Sequence, residues 1–591
     1  MARPLTFYSG IQKVSRYIVP RIEHYRVLVS NRAKRMGGDP GSRAKVTHVI
    51  DLTKEDGDDG DRKRKRDDEG CVRRETEYML PFQLLKTRGI PKEYQQGPLG
   101  FDMAQHVSGD IKAAFVSNYM MDIPWLVDTC PDLFFSDILV LAHGMQGASE
   151  GMKKQLKMLG VEGAEILCPW VPPYGTHHTK AFFLQYERGI RIIIHTANLL
   201  YCDVNNKSQS VFMQDFPTKA AGDESVSDFE HELIQYMERL GLGQALERRM
   251  KTIISMHDYR YARGHIVSSV PSKPFEFKQH GQWGHARVAA ILRNEVFDAS
   301  YAHAPILAQF SSIGNISDKF MREITESFSA GQFEGAPSHP PPDVQLVWPT
   351  VSEVRDSLEG FFGGGSLCGY SNRFQKSIVM DRIHRWGGQA AGRQRALPHM
   401  KTYLRYTRQD QDETRLPWVL LASHNFSKAA WGEFVQSRKY GAKLFRILSY
   451  EMGILLLPRL ELAYRNSPQC GFSCTHDRHN ADEKKERIEA VDFVPWKKGV
   501  VEREYMDDTT LRVPIPLPFE LPPARYPDNT AARDAYESTP WTVTPDPTHG
   551  NVWHGIDALG NPYPGKGSYQ GVLQRDTDED LWYTLFSSSS R

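Results

Sequence analysis

Two copies of a histidine and a lysine spaced two residues apart carry the most chemical information in this chain. They are His178 and Lys180, within Gly175-Thr176-His177-His178-Thr179-Lys180, and His399 and Lys401. Each is followed by an apolar run that closes in a small hydroxyl residue and an asparagine. Ile190 to Ile194 runs into Thr196 and Asn198, and Trp418 to Leu421 runs into Ser423 and Asn425. Brought together, these residues offer two imidazoles, two ammonium groups and two amides. The lysines and amides are donors suited to the oxygens of a phosphodiester. Two imidazoles facing one phosphorus allow double displacement: one attacks, and the other protonates the departing oxygen and then activates water. The pair must rest in opposite protonation states near neutrality, which an ordinary imidazole pKa of about 6.5 permits when the neighbours differ. Gln209 and Glu451 are the candidates for those neighbours, one neutral and one charged, and either could stand behind either histidine. Few carboxylates lie near the motifs, which disfavours metal-assisted hydrolysis, so neither metal nor cofactor is expected.

The elements that must position these groups follow from the hydrophobic pattern. Ala181 to Leu184, a turn at Glu187-Arg188-Gly189 and Ile190 to Ile194 read as strand, turn, strand. Side chains alternate along a strand, so His178 and Lys180 share a face. From Tyr78 onward helix and strand alternate. Strands are expected at Ile138 to His143 and Glu165 to Cys168, and a helix over Phe229 to Ile254. The same grammar then repeats: strand His265 to Val270, helix Gly284 to Asn294, strand Ile306 to Ser311, helix Asp318 to Phe328, strand Val344 to Trp348 and helix Val351 to Leu358. The glycine run Gly363 to Ser366 offers backbone N–H groups to a phosphate. Ser427 to Val435 reads as a helix, Ser449 to Leu457 as a strand containing Glu451, and the chain from Asn466 as irregular. This alternation argues for an α/β protein of two similar sandwich halves about a pseudo-twofold axis. The expected halves are 76–258 and 259–591, preceded by a disordered tail over 1–75 that is rich in charge.

Composition narrows the class. A chain of 591 residues with 40% hydrophobic and 25% charged residues is that of a globular protein too long for one core. A net charge of +1 leaves no global basic field, so nucleic acid must be met by a local groove. No apolar run approaches the ~20 residues of a membrane span. Seven cysteines at irregular spacings suit a reducing compartment. Cys470-x3-Cys474-x-His476-x2-His479 holds metal-type residues, but the histidine spacing is too short for a finger, and a loop is the better reading.

The motifs resemble the phospholipase D superfamily, whose usual pattern adds an aspartate five residues after each lysine. Gln185 and Tyr406 stand there instead. That departure, with His195-Thr196-Ala197-Asn198-Leu199, Lys207-Ser208-Gln209, Gln309-Phe310-Ser311-Ser312, Ser427 to Gly432 and His549 to Trp553, makes the chain similar to the tyrosyl-DNA phosphodiesterase family from roughly Tyr78 to Trp553. The resemblance implies a metal-independent DNA repair enzyme that removes topoisomerase I-derived peptide from single-stranded or nicked DNA 3′ ends. It implies His178 as nucleophile and His399 as general acid and base. Lys180, Lys401, Asn198 and Asn425 would hold the phosphate, with Gln209 and Glu451 as supports. Tyr174, Ser311, Ser312 and Ser366 would meet DNA, and Tyr119 and Trp553 the peptide. His424 and Phe426 depart from the family's residues beside Asn425. A broader 3′-end nuclease would use the same residues, whereas a binding scaffold should have lost one of the four His and Lys. In the N-terminal tail, Arg62 to Arg66 reads as a nuclear-import cluster. Val49, Ile50 and Leu52 before acidic residues resemble a SUMO-interacting strand.

Overall fold

The runs that flank each motif are apolar at nearly every position, which fits strands covered on both faces rather than on one. They form the centres of two sheets. The computed structural model describes residues 79–271, 281–335, 340–407, 414–437, 441–476, 487–498, 505–507, 509–527, 535–543 and 556–561. Val49, Ile50, Leu52, Arg62 to Arg66, Trp553 and His479 lie outside them.

The first sheet contains β1 (Gln83–Leu85), β2 (Gly100–Phe101), β3 (Ala113–Asn118), β4 (Ile138–His143), β5 (Glu165–Leu167), β6 (Ala181–Gln185), β7 (Gly189–His195) and β8 (Ser210–Pro217), in the order β2-β1-β8-β7-β6-β3-β4-β5. The second contains β9 (Gly264–Ser269), β10 (Ile306–Gln309), β11 (Val344–Val347), β12 (Ile383–His384), β13 (Thr402–Arg405), β14 (Val419–Ala422) and β15 (Glu451–Leu456), in the order β12-β11-β10-β13-β14-β15-β9. The two series correspond. β3, β4 and β5 run parallel, as do β10, β11 and β12. β3-β6-β7-β8 and β10-β13-β14-β15 are antiparallel throughout. In each sheet a His-x-Lys stands just before the second strand of the antiparallel run (β6 or β13), an asparagine just after the third (β7 or β14), and Gln209 just before, or Glu451 at the start of, the fourth (β8 or β15). The repeat therefore delivers every candidate group to the same end of its sheet.

Strand periodicity divides the core. In β14, Val419 and Leu421 join β7 residues Ile192 and Ile194 and β15 residues Ile454 and Leu456 in one cluster between the sheets. Leu420 and Ala422 point the other way, into a second cluster with Val288, Ile324 and Phe328 from the helices Gly284–Leu292 and Asp318–Phe328. Residues 79–157 and the described chain beyond 160 belong to one packed unit.

Three expectations change. The helix expected over Phe229 to Ile254 is two, Asp228–Arg239 and Gln244–Ser255, parted where Gly241 takes a positive φ of 76°. Ser427 to Val435 is helical only over Lys428–Trp431 and then becomes the strand Glu433–Ser437, because the chain turns at Gly432. Beyond Asn466 the chain is not merely irregular. Ala490–Pro495, Tyr505–Asp507 and Thr510–Ile515 form a small sheet whose Phe493 and Val513 extend the inter-sheet core. Among the described residues no helix is long and apolar enough to cross a membrane, and no group of three His, Cys, Asp or Glu side chains is placed to hold a metal ion. Cys470 and Cys474 are buried in turns after Arg465, and the Cys474 N–H donates to Asp215 Oδ2 at 2.8 Å.

Candidate active site

The two halves meet through backbone as well as side chains, and the same exchange occurs twice. His177 bridges to Tyr450, the residue before Glu451, and Pro398 bridges to Ser208, the residue before Gln209. The His178 N–H donates to Tyr450 O at 2.9 Å, and the His399 N–H to Ser208 O at 3.1 Å. Each histidine is thereby pinned against the supporting residue of the opposite half. Gly175 makes the first junction possible: a Cβ there would stand 2.0 Å from Leu448 O.

The supports are crossed and unequal. His178 Nδ1 lies 2.9 Å from Glu451 Oε2 and 2.9 Å from Ser423 O. A carbonyl and a carboxylate only accept, so Nδ1 carries the hydrogen and Nε2 keeps its lone pair. His399 Nδ1 lies 3.1 Å from Gln209 Nε2. The Gln209 amide is oriented by its other partners: it donates to Asp203 O at 3.0 Å, and its oxygen accepts from Thr196 Oγ1 at 2.8 Å. It therefore turns its NH2 toward the ring, so the neutral His399 carries its hydrogen on Nε2. Thr196 and Ser423 are counterparts, since Ser423 Oγ donates to Glu451 Oε2 at 2.5 Å and accepts the Met452 N–H at 3.0 Å.

Lys180 and Lys401 are buried, each with Nζ donating to the carbonyl of its own motif histidine, His178 O at 2.9 Å and His399 O respectively. Burial lowers the Lys180 pKa to about 8. Burial, and then the neighbouring Lys180 ammonium, holds Lys401 well below the usual lysine range. Both histidines are likewise pushed well below 6.5 by burial and by these lysines. Burial raises the Glu451 carboxyl to about 7 against nearby positive groups. A pocket holding two ammonium ions and two imidazoles that resist protonation is short of negative charge, and an anion entering it relieves both strains. Asn425 Oδ1 accepts from the Ser311 N–H at 3.3 Å and Ser311 Oγ at 3.4 Å, which leaves its NH2 for such an anion.

The eight groups expected at the centre are thus in one place. Those expected at its edges vary. Tyr119 is half-buried with its ring 5.7 Å from that of His178. Tyr174 takes a positive φ of 67° and is 94% exposed, so its ring projects from the loop that leads into the first motif. Ser311 is buried and faces Asn425, Ser312 is half-buried, and Ser366 turns its hydroxyl onto Gly363 O at 2.8 Å. In the glycine run before Ser366, Gly364 packs against Trp541, where a Cβ would meet the ring at 2.2 Å. His424 is buried with its ring stacked on Trp431 at 4.1 Å and its Nε2 3.0 Å from Ser269 Oγ. One group escaped the sequence reading. Asp203 is fully buried between Asn198, Lys207 and His399, and its only signal is the four-residue spacing to Lys207.

The chain is similar to known proteins along most of its length. A family model described as tyrosyl-DNA phosphodiesterase matches residues 81–527. The chain is 33% identical over 464 residues to tyrosyl-DNA phosphodiesterase 1 of Arabidopsis thaliana, spanning 76% of this chain and 72% of that protein. It is 31% identical over 389 residues to a probable tyrosyl-DNA phosphodiesterase of Caenorhabditis elegans, spanning 63% and 82%. A crystal structure of a yeast tyrosyl-DNA phosphodiesterase mutant shares the fold with a TM-score of 0.50 at 17% identity, covering 64% of this chain and 89% of that one.

Proposed function

Since the chain belongs to the tyrosyl-DNA phosphodiesterase family and is a DNA repair phosphodiesterase, we propose that it clears tyrosine-linked peptide from DNA 3′ ends through a covalent phosphohistidine, without a metal. The observation that carries this reading is the crossed and unequal support of the two histidines. Each half, 76–258 and 259–591, supplies one His-x-Lys. In the first step the His178 Nε2 lone pair attacks phosphorus, the bond to the tyrosyl oxygen breaks, and His399 gives that oxygen a proton from Nε2. In the second, water attacks phosphorus, His399 takes its proton, and the P–N bond breaks to leave a 3′-phosphate. Lys180, Lys401, Asn198 and Asn425 hold the non-bridging oxygens. Phenolate, with a pKa of about 10, leaves more readily than an alkoxide, which favours a tyrosyl substrate. Tyr174, so exposed, suits stacking on a base of a single strand. The basic run Arg62 to Arg66 supports a nuclear setting, and Val49, Ile50 and Leu52 support a SUMO-modified partner.

The test is an oligonucleotide carrying a 3′-phosphotyrosine, incubated in EDTA beside a 3′-hydroxyl control. The expected products are tyrosine and a 3′-phosphate, with the control intact. Comparable erosion of the control would move the reading to a general 3′-end nuclease, and loss of activity in EDTA would remove metal independence.

The same assay has a predictable pH profile. Glu451 must be ionised to offset the positive charge His178 acquires on attack, so kcat/KM falls as pH drops through about 7. Lys180 must be charged to hold phosphate, so kcat/KM falls again as pH rises through about 8. The result is a narrow bell whose limbs belong to the coupled site as a whole. A flat profile from about pH 6 to 9 would contradict these assignments.

A further inference from the structure

Behind His399 lies a buried charge cluster that the two-step reaction has not yet used. Asp203, on the short helix Tyr201–Asn205, is fully buried, and its Oδ2 is 3.7 Å from His399 Nδ1. The same oxygen accepts from Asn198 Nδ2 at 2.7 Å and from the Asn198 N–H at 3.3 Å. Oδ1 lies 2.9 Å from Lys207 Nζ, which also reaches Glu359 of the other half at 3.2 Å. Asp203 stays ionised here: burial works against it, but the Lys207 ammonium and His399 outweigh the cost.

The acid step needs His399 as an imidazolium, and most of its surroundings oppose that. Gln209 turns an NH2, a donor, toward Nδ1, which suits only the neutral ring. Lys401, Lys180 and Lys207 all repel a positive ring, and burial does the same. Asp203 acts in the opposite sense and is the carboxylate paired with this ring among the described residues. An opposite charge within ~4–6 Å favours the ionised form of its neighbour.

We infer that Asp203 is the positioning residue that lets His399 carry its positive charge, while the same carboxylate orients the Asn198 amide toward the phosphate. The inference rests on His399 being the general acid proposed above. The resting neutral ring, with its hydrogen on Nε2, gains a second proton on Nδ1 that faces Asp203 rather than the Gln209 NH2. The charged ring then gives its Nε2 proton to the tyrosyl oxygen and is left in the other neutral form, with Nδ1–H on the carboxylate. Nε2 is then free to take the proton of water in the second step. His178 needs no such partner, because its task is to attack as the neutral ring.

The experiment is a leaving-group comparison on the full chain, read as the single-turnover rate of leaving-group release, with two 3′-linked oligonucleotides, one releasing tyrosine and one releasing p-nitrophenolate, which departs without a proton. The His399→Ala variant is the reference. It must lose far more on the tyrosyl substrate, and equal losses on both would remove the general-acid reading itself. Given that bias, Asp203→Asn is expected to lose about 10²-fold on the tyrosyl substrate and less than about 10-fold on the nitrophenyl one, within the range a positioned acid contributes. Equal losses with Asp203→Asn, as from Asn198→Ala, would mean that Asp203 acts only through phosphate binding or folding, and would overturn the inference. If Asp203→Asn does not fold, Asp203→Glu keeps the charge but moves it. Its ratio of rates should then lie between those of the wild type and His399→Ala, and a wild-type ratio would be fatal.

Discussion

His178→Ala is expected to abolish turnover, lowering kcat on the 3′-phosphotyrosyl substrate by on the order of 10⁴- to 10⁶-fold, as loss of a nucleophile commonly does. The pocket prepares this ring for attack in three ways. Ser423 O and Glu451 fix the hydrogen on Nδ1, burial and the two lysines keep the ring unprotonated, and the bridge of His177 to Tyr450 fixes the backbone. Glu451 further offsets the positive charge that the ring acquires once bonded to phosphorus. Alanine removes the lone pair but leaves Ser423 Oγ to satisfy Glu451, so the fold should survive. The decisive measurement is a radiolabelled oligonucleotide quenched in alkali, where phosphohistidine persists. No label should travel with the variant, and a labelled protein band would show that another residue attacks.

His399→Ala should behave quite differently. In the proposed mechanism its ring is not the attacking group, so the first step should still run, slowed by about 10²–10⁴-fold for want of the acid. The second step has lost the base that activates water. One equivalent of tyrosine per enzyme is expected, followed by near silence, with the oligonucleotide held on His178. Multiple turnovers at close to the wild-type rate would disprove the role assigned to His399. The contrast between an inert variant and a trapped one follows from the difference between Glu451 behind one histidine and Gln209 behind the other.

Much of this was legible in the chain itself. His178, Lys180, His399 and Lys401 announce themselves by recurrence, and the runs around them are strands because β-branched and aromatic residues fill them without interruption. What could not be read is which support serves which histidine. Gln209 and Glu451 each follow the asparagine of their own half, and nothing local says that they reach across. That exchange is a property of the interface, fixed by Tyr450 and Ser208 in backbone bridges. Asp203 was missed for a related reason. In sequence it is one acid in a short helix, and its value lies in meeting Lys207, Glu359 and His399 at once. Gly432 misled in the opposite direction. It stands inside what reads as one helix, Ser427 to Val435, whereas it ends that helix at a positive φ of 86° and a strand follows.

The matching order of strands in the two sheets has a consequence for the symmetry of the site. In a symmetric pair of identical subunits, the residue behind each histidine would have to be the same in both copies, and the two rings could not be told apart. Joining the copies in one polypeptide frees the equivalent positions to diverge, one keeping a carboxylate and the other an amide. The proposed division of labour between attacker and proton carrier is one that a single polypeptide permits and a symmetric pair does not. Because each support is lent by the opposite half, neither half severed from the other would retain a working fragment of the reaction.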